Sequence, residues 1–207
     1  MSLTDDMTPD EIEKTVEAAM PRATTAPEPK APAEPDDYNM APYAKAFAIW
    51  AHGDQKYGDQ PYEVHLSEVV SILDEHGYDV HFHAIAVITA WLHDVIEDTF
   101  VTFAMIAYRF GDLVAKAVFA CTGEGSTRKE KQAAIHAKLL ECEDAQPAKA
   151  ADRLANMRAS LREKKRGLVK MYSDEFDTFI TGVSSVKPSL LKALHEVQAQ
   201  SLEFLSQ

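Results

Sequence analysis

From Ala41 onward, apolar residues recur every three to four positions almost throughout, and Gly or Pro falls mainly between the periodic segments. This spacing predicts helices over 43–55, 62–76, 81–98, 102–110, 112–121, 128–142, 148–163, 168–181 and 189–205. No run alternates with period two for long enough to argue a strand, so the expected fold class is all-α, a bundle of eight to nine helices. Gly77 and Gly111 stand where a left-handed residue past a helix end is wanted, and Pro188 stands at a helix start. The most informative segment is 81–98. Its run Ala84, Ile85, Ala86, Val87, Ile88, Ala90, Trp91 and Leu92 is apolar nearly all round, which places the helix in the middle of the bundle.

Residues 1–40 break this pattern. Seven of the ten prolines lie at or before Pro42, and 23–37 is nearly all Ala, Pro, Glu and Thr, too little apolar surface to offset the entropy of ordering. The expected organisation is a disordered acidic tail over 1–40 and one folded domain over 41–207. Within the tail, Thr8, Pro9 and Glu11 carry the signature of a short capped helix running to Ala19. The N-terminus lacks a basic start and an apolar core, and the longest strongly apolar run, 84–92, is far short of a bilayer span, so the expected location is the cytoplasm and no membrane partner is expected. Cys121 and Cys142 are not spaced as a ligand pair and read as packed apolar residues.

The apolar helix ends abruptly in His93-Asp94-Val95-Ile96-Glu97-Asp98. A spacing of four sets Glu97 beneath His93 and Asp98 beneath Asp94 on adjoining faces. Three carboxylates clustered at the end of a buried element are costly unless a cation is there; the alternative is a solvated helix end with a satisfied histidine. A second segment, Lys149-Ala150-Ala151-Asp152-Arg153-Leu154-Ala155-Asn156, puts Asp152 and Asn156 on one helix face. That arrangement suits a metal carboxylate beside a ligand-facing amide, or a plain capping and solvating pair. His52 and His65 lie on the two preceding helices, and spacing alone does not choose between them. A mixed nitrogen and oxygen set with open positions suits Mn, Fe or Zn better than Ca.

The stretches Gly58-Asp59-Gln60-Pro61-Tyr62-Glu63-Val64-His65, Leu92-His93-Asp94-Val95-Ile96-Glu97-Asp98-Thr99, Phe110-Gly111 and Ala151-Asp152-Arg153-Leu154-Ala155-Asn156-Met157-Arg158, in that order, resemble the HD superfamily of metal-dependent phosphohydrolases. Within it they are most similar to the hydrolase domain of RelA/SpoT-type proteins and the small alarmone hydrolases, over about residues 41–180. The resemblance implies His65, His93, Asp94 and Asp152 as ligands of a divalent metal, most often Mn2+, and leaves His52 with a supporting role. It implies Glu97 and Asp98 as the pair that orients and deprotonates the attacking water, and Lys56 and Asn156 as substrate-binding residues. The implied reaction removes the 3′-diphosphate from ppGpp or a related nucleotide, as in the stringent response. An HD enzyme acting on a dNTP, monophosphate or cyclic nucleotide is one alternative, and an antitoxin-like partner of a separate alarmone synthetase is another.

Some positions depart from the family pattern. Leu66 follows the first ligand where Pro is usual, and Lys56 replaces an Arg able to stack and hold two acceptors. Ala155 and Ala159 stand where larger or hydroxyl side chains are common. These changes spare the metal and water but bear on whether the base is guanine or adenine. Charge fits a small polyanionic substrate rather than a nucleic acid. The chain's net −12 excludes a general duplex coat, yet it divides into −7 for 1–40, −8 for 41–127, +6 for 128–170 and −3 thereafter. The basic segment contains Asp152 and Asn156.

Overall fold

The computed structural model describes residues 26–33 and 37–207, so the expected short helix at Thr8–Ala19 lies outside the described residues. The fold is all-α. Its helices are α1 (Asp37–His52), α2 (Tyr62–Glu75), α3 (Ala84–Leu92), α4 (Val95–Asp98), α5 (Phe103–Phe110), α6 (Asp112–Cys121), α7 (Arg128–Glu141), α8 (Gln146–Arg162), α9 (Arg166–Gly182) and α10 (Pro188–Ser206), with one 3-10 turn at Glu143–Ala145. Pro188 opens α10 as expected, and Gly77 and Gly111 close their helices at φ +78° and +83°, a region open to Gly at little cost.

Three differences from the sequence-based expectation concern the site. First, 81–98 is not one helix: α3 ends at Leu92 and α4 begins at Val95, with His93 and Asp94 in a turn between them whose backbone stays near helical geometry. His93 in this turn is fully buried and Asp94 mostly so. Second, a two-residue antiparallel hairpin, β1 (Lys56–Tyr57) with β2 (Gln60–Pro61), joins α1 to α2, too short to produce an alternating pattern. Third, α1 starts at Asp37 with Pro42 inside it, in the second turn, where a proline forfeits one backbone bond and crowds the carbonyl four residues back.

Part of the expected tail is also placed against the fold. The Trp50 indole donates to the Ala26 carbonyl at 3.0 Å, and Arg109 pairs with Glu28 at 2.5 Å. The Arg109 guanidinium lies over Phe47, so this contact clasps α1 and α5 together.

Two apolar clusters meet at α3. Ala86 and Ala90 face one, built with Leu73, Leu139, Leu154, Phe176 and Leu194; Val87, Ile88, Trp91 and Leu92 face the other, built with Phe47, Leu66, Met105 and Ile106. This is the all-round burial that the apolar run predicts. Helix α8 is the second central element. Its Ala148, Ala150, Ala151 and Ala155 are essentially fully buried, and side chains this small let α2 and α3 approach its backbone closely. That approach brings the end of α3, the first turn of α2 and the middle of α8 to one point.

Candidate functional site

At that point three buried side chains converge. His65 from α2, His93 from the end of α3 and Asp152 from α8 offer donor atoms that all lie within 4.8 Å of one another. Asp94 adjoins them, with Oδ2 2.9 Å from His93 Nε2 and 3.8 Å from His65 Nε2; Asp152 Oδ1 is 3.3 Å from His65 Nε2 and 3.7 Å from His93 Nε2.

The orientation of His93 tells what this cluster holds. Its Nδ1 lies 2.8 Å from the Ala90 carbonyl, which only accepts, so Nδ1 carries the proton and Nε2 of the neutral ring is a bare lone pair. That buried Nε2 faces carboxylate oxygens, acceptor against acceptor, and only a proton or a cation between them makes the arrangement favourable. Burial opposes charge on His93, but Asp94 and Asp152 outweigh it and hold the pKa up at about 10; the imidazolium in turn keeps the Asp94 carboxyl below its usual range despite burial. Two imidazoles and two carboxylates around one point form a donor set that fits a divalent metal ion, which takes the place of that proton.

Supporting contacts fix each oxygen. The Tyr62 hydroxyl donates to Asp94 Oδ2 at 2.6 Å, and burial together with Asp94 pushes the phenol far above its ordinary pKa, so it stays a donor. Lys149, itself buried, pairs with Asp152 Oδ2 at 3.0 Å, leaving Oδ1 to face the histidines. Asn156 Nδ2 donates to that Oδ1 at 2.5 Å while its carbonyl accepts from the Tyr57 hydroxyl at 2.7 Å. Partners of this kind orient metal-binding residues as much as the ligands' own helices do.

His52 has a different place. Its ring stacks on Tyr62 with centroids 4.2 Å apart, and its Nδ1 lies 2.8 Å from Gln55, whose amide donates to Asp98 Oδ2 at 3.0 Å. Burial lowers its pKa, so the ring is neutral. His52 therefore braces Tyr62 and Asp98 from behind. His52→Ala is expected to retain most of the bound metal, whereas His65→Ala loses it, as read by metal content after desalting.

The cluster lies in a cleft of about 550 Å³ whose wall includes Glu97, Asp98, Arg128, Lys131, Lys149, Arg153 and Asn156. Glu97 accepts from the Lys131 ammonium at 2.8 Å and from the Gly123 backbone N–H at 2.9 Å. Asp98 accepts from Gln55 and, at 3.3 Å, from Tyr62. Both expected water-handling carboxylates thus face the cleft beside the cluster without belonging to it. Of the basic residues in 128–170, Arg128, Lys131, Lys149 and Arg153 line the cleft, while Arg158 and Arg162 lie opposite Glu75 and Glu68 on the outside.

One expected residue is not brought in. Lys56 is exposed on the hairpin and does not line the cleft; its neighbour Tyr57 does. Ala159 lines a small adjoining cavity of about 130 Å³ with Tyr57, Asn156 and Tyr172, whereas Ala155 packs into the core. Tyr57, Tyr62 and Lys149 join the site without having been expected there from the sequence. Lys149 had a usable signal, a cation three positions before Asp152 on the same helix. Tyr57 had none.

A helical fold with paired histidines and aspartates converging in this order defines a class. The chain belongs to the HD domain family, whose model matches residues 43–179. Among curated proteins it is similar to a guanosine-3′,5′-bis(diphosphate) 3′-pyrophosphohydrolase of Aquifex aeolicus, 37% identical over 131 residues, covering 59% of this chain and 18% of that protein. It is also similar to the GTP pyrophosphokinase rsh of Brucella ovis, 34% identical over 148 residues, covering 63% of this chain and 18% of that protein. The chain therefore spans less than a fifth of the length of either relative. Among solved structures, one described as a metazoan ortholog of SpoT that hydrolyzes ppGpp superposes with a TM-score of 0.67 at 21% identity, covering 82% of this chain and 98% of that one, a likeness of fold. Among the described residues no helix is long and apolar enough to cross a membrane.

Proposed function

We propose that this chain is a divalent-metal-dependent phosphohydrolase that removes the 3′-diphosphate from ppGpp or a closely related alarmone, with Mn2+ as the working metal. The observation that carries the reading is the His93 Nε2, left by the Ala90 contact to face Asp94 and Asp152, at the floor of a cleft walled by Arg128, Lys131, Lys149 and Arg153. Such a floor suits a cation, and with that cation bound the cleft, whose Arg128, Lys131, Lys149 and Arg153 are each paired with a carboxylate, gains the net positive charge that draws a compact polyanion. The similarity to the Aquifex aeolicus hydrolase supports the choice of substrate.

His65, His93, Asp94 and Asp152 are the metal ligands in this account. The bound ion lowers the pKa of water and offsets the charge developing on phosphorus. Glu97 and Asp98 receive the proton of the attacking water and hold that water in line with the 3′-oxygen–phosphorus bond. The water oxygen bonds to phosphorus, the 3′-oxygen leaves and gains a proton, and pyrophosphate departs intact. Asn156, fixed between Tyr57 and Asp152, presents its amide to the ribose end of the nucleotide. Incubating the purified chain with Mn2+ and a panel of guanosine and adenosine alarmones, dNTPs, monophosphates and cyclic nucleotides tests the assignment. Pyrophosphate is expected from the 3′-diphosphates alone; turnover only of dNTPs, monophosphates or cyclic nucleotides rejects it.

A further inference from the structure

Glu97 does not stand freely in the cleft. Lys131, from the first turn of α7, reaches back to it, and the Gly123 N–H holds the other carboxylate oxygen, so both oxygens are committed in fixed directions. Gly123 also makes the reach feasible. A Cβ there would lie 2.8 Å from the Lys131 Cβ and 3.1 and 3.2 Å from its Cγ and Cδ, so the lysine stem runs across the bare glycine backbone. The near end of that stem is attached to the helix and cannot swing aside, in contrast to a flexible tip. The first turn of α7 is in turn fixed by a capping box between Thr127 and Glu130. The loop between α6 and α7 and the start of α7 together form one device that aims Glu97.

We infer that Lys131, seated on Gly123, is the positioning residue for Glu97, an inference that rests on Glu97 handling the attacking water. Lys131 lines the cleft, so the rival role is independent binding of substrate phosphate. The two roles separate in kinetics. If Lys131 aims Glu97, Lys131→Met lowers kcat by about 10- to 100-fold with KM nearly unchanged, because misplacement of a catalytic group by about 1 Å has effects of that size. Gly123→Ala reproduces the loss by displacing the lysine stem, and Lys131→Arg, which still reaches a carboxylate, restores most of the rate. In a Glu97→Gln background Lys131→Met adds almost no further loss, since both act through one carboxylate.

The measurements are kcat and KM for the wild type and these five variants with Mn2+ and ppGpp, together with a crystal structure of Lys131→Met. A rise in KM at constant kcat, or an undiminished effect of Lys131→Met in the Glu97→Gln background, overturns the inference in favour of phosphate binding. An inactive wild-type chain that holds metal rejects the hydrolase assignment instead. In that event the crystal structure decides: a Glu97 side chain that leaves its place supports positioning by Lys131, and one that stays overturns it.

Discussion

Asp152→Ala is expected to cost the protein its metal and part of its stability at once. Asp152 Oδ1 faces both histidines, so its loss removes a ligand; metal affinity should fall by more than about 100-fold, the upper range seen when mere supporting contacts are removed. The same substitution strips the partner from Lys149, whose ammonium is almost wholly buried. An uncompensated buried charge costs roughly 3 kcal/mol, which in a domain of this size lowers Tm by about 10 °C. The two losses are separable. Adding Lys149→Met to Asp152→Ala should recover most of the Tm, measured on metal-free protein, and none of the metal. If the double variant is no more stable than the single one, the pairing of Lys149 with Asp152 is not what holds this part of the fold.

The second large effect is expected at Glu97. Glu97→Gln keeps the size of the side chain and leaves the four proposed ligands untouched, so bound metal should be unchanged. The rate should fall by about 10²- to 10⁴-fold, the usual contribution of a positioned proton acceptor, with little change in KM. Loss of metal along with activity would instead place Glu97 among the ligands. Asp98→Asn separates the partners. Because Asp98 sits in the His52–Gln55–Tyr62 network rather than against Lys131, Asp98→Asn should be impaired on its own, and Lys131→Met should still bring its full loss in that background.

The legibility of this protein in its sequence follows a physical divide. The apolar run 84–92 announced a central helix because burial on all sides leaves no polar face, and the clusters on both flanks of α3 bear this out. Gly111 and Pro188 marked helix ends for local backbone reasons that need no tertiary contact. The break at His93-Asp94 was not legible. Hydrophobic periodicity records which side a residue faces, and a two-residue turn whose backbone stays near helical angles shifts that phase too little to show. His65, His93 and Asp152 were visible as residues, but only the fold shows their donor atoms within 4.8 Å. Lys56 shows the limit of a resemblance: the family pattern implies a substrate-binding residue there, while the hairpin leaves Lys56 exposed outside the cleft lining and puts Tyr57 in it. The basic segment 128–170 was likewise visible only as a total, and the fold divides it between the cleft and outer-face ion pairs.

In the proposed reaction the cleft breaks the bond between the ribose 3′-oxygen and phosphorus. The most direct measurement is 31P NMR of the products formed from ppGpp by the Mn2+-loaded chain. GDP and pyrophosphate are expected in equal amounts, with no product in samples of His65→Ala or Asp94→Ala. Orthophosphate as the first product, or removal of the 5′-diphosphate, would contradict it.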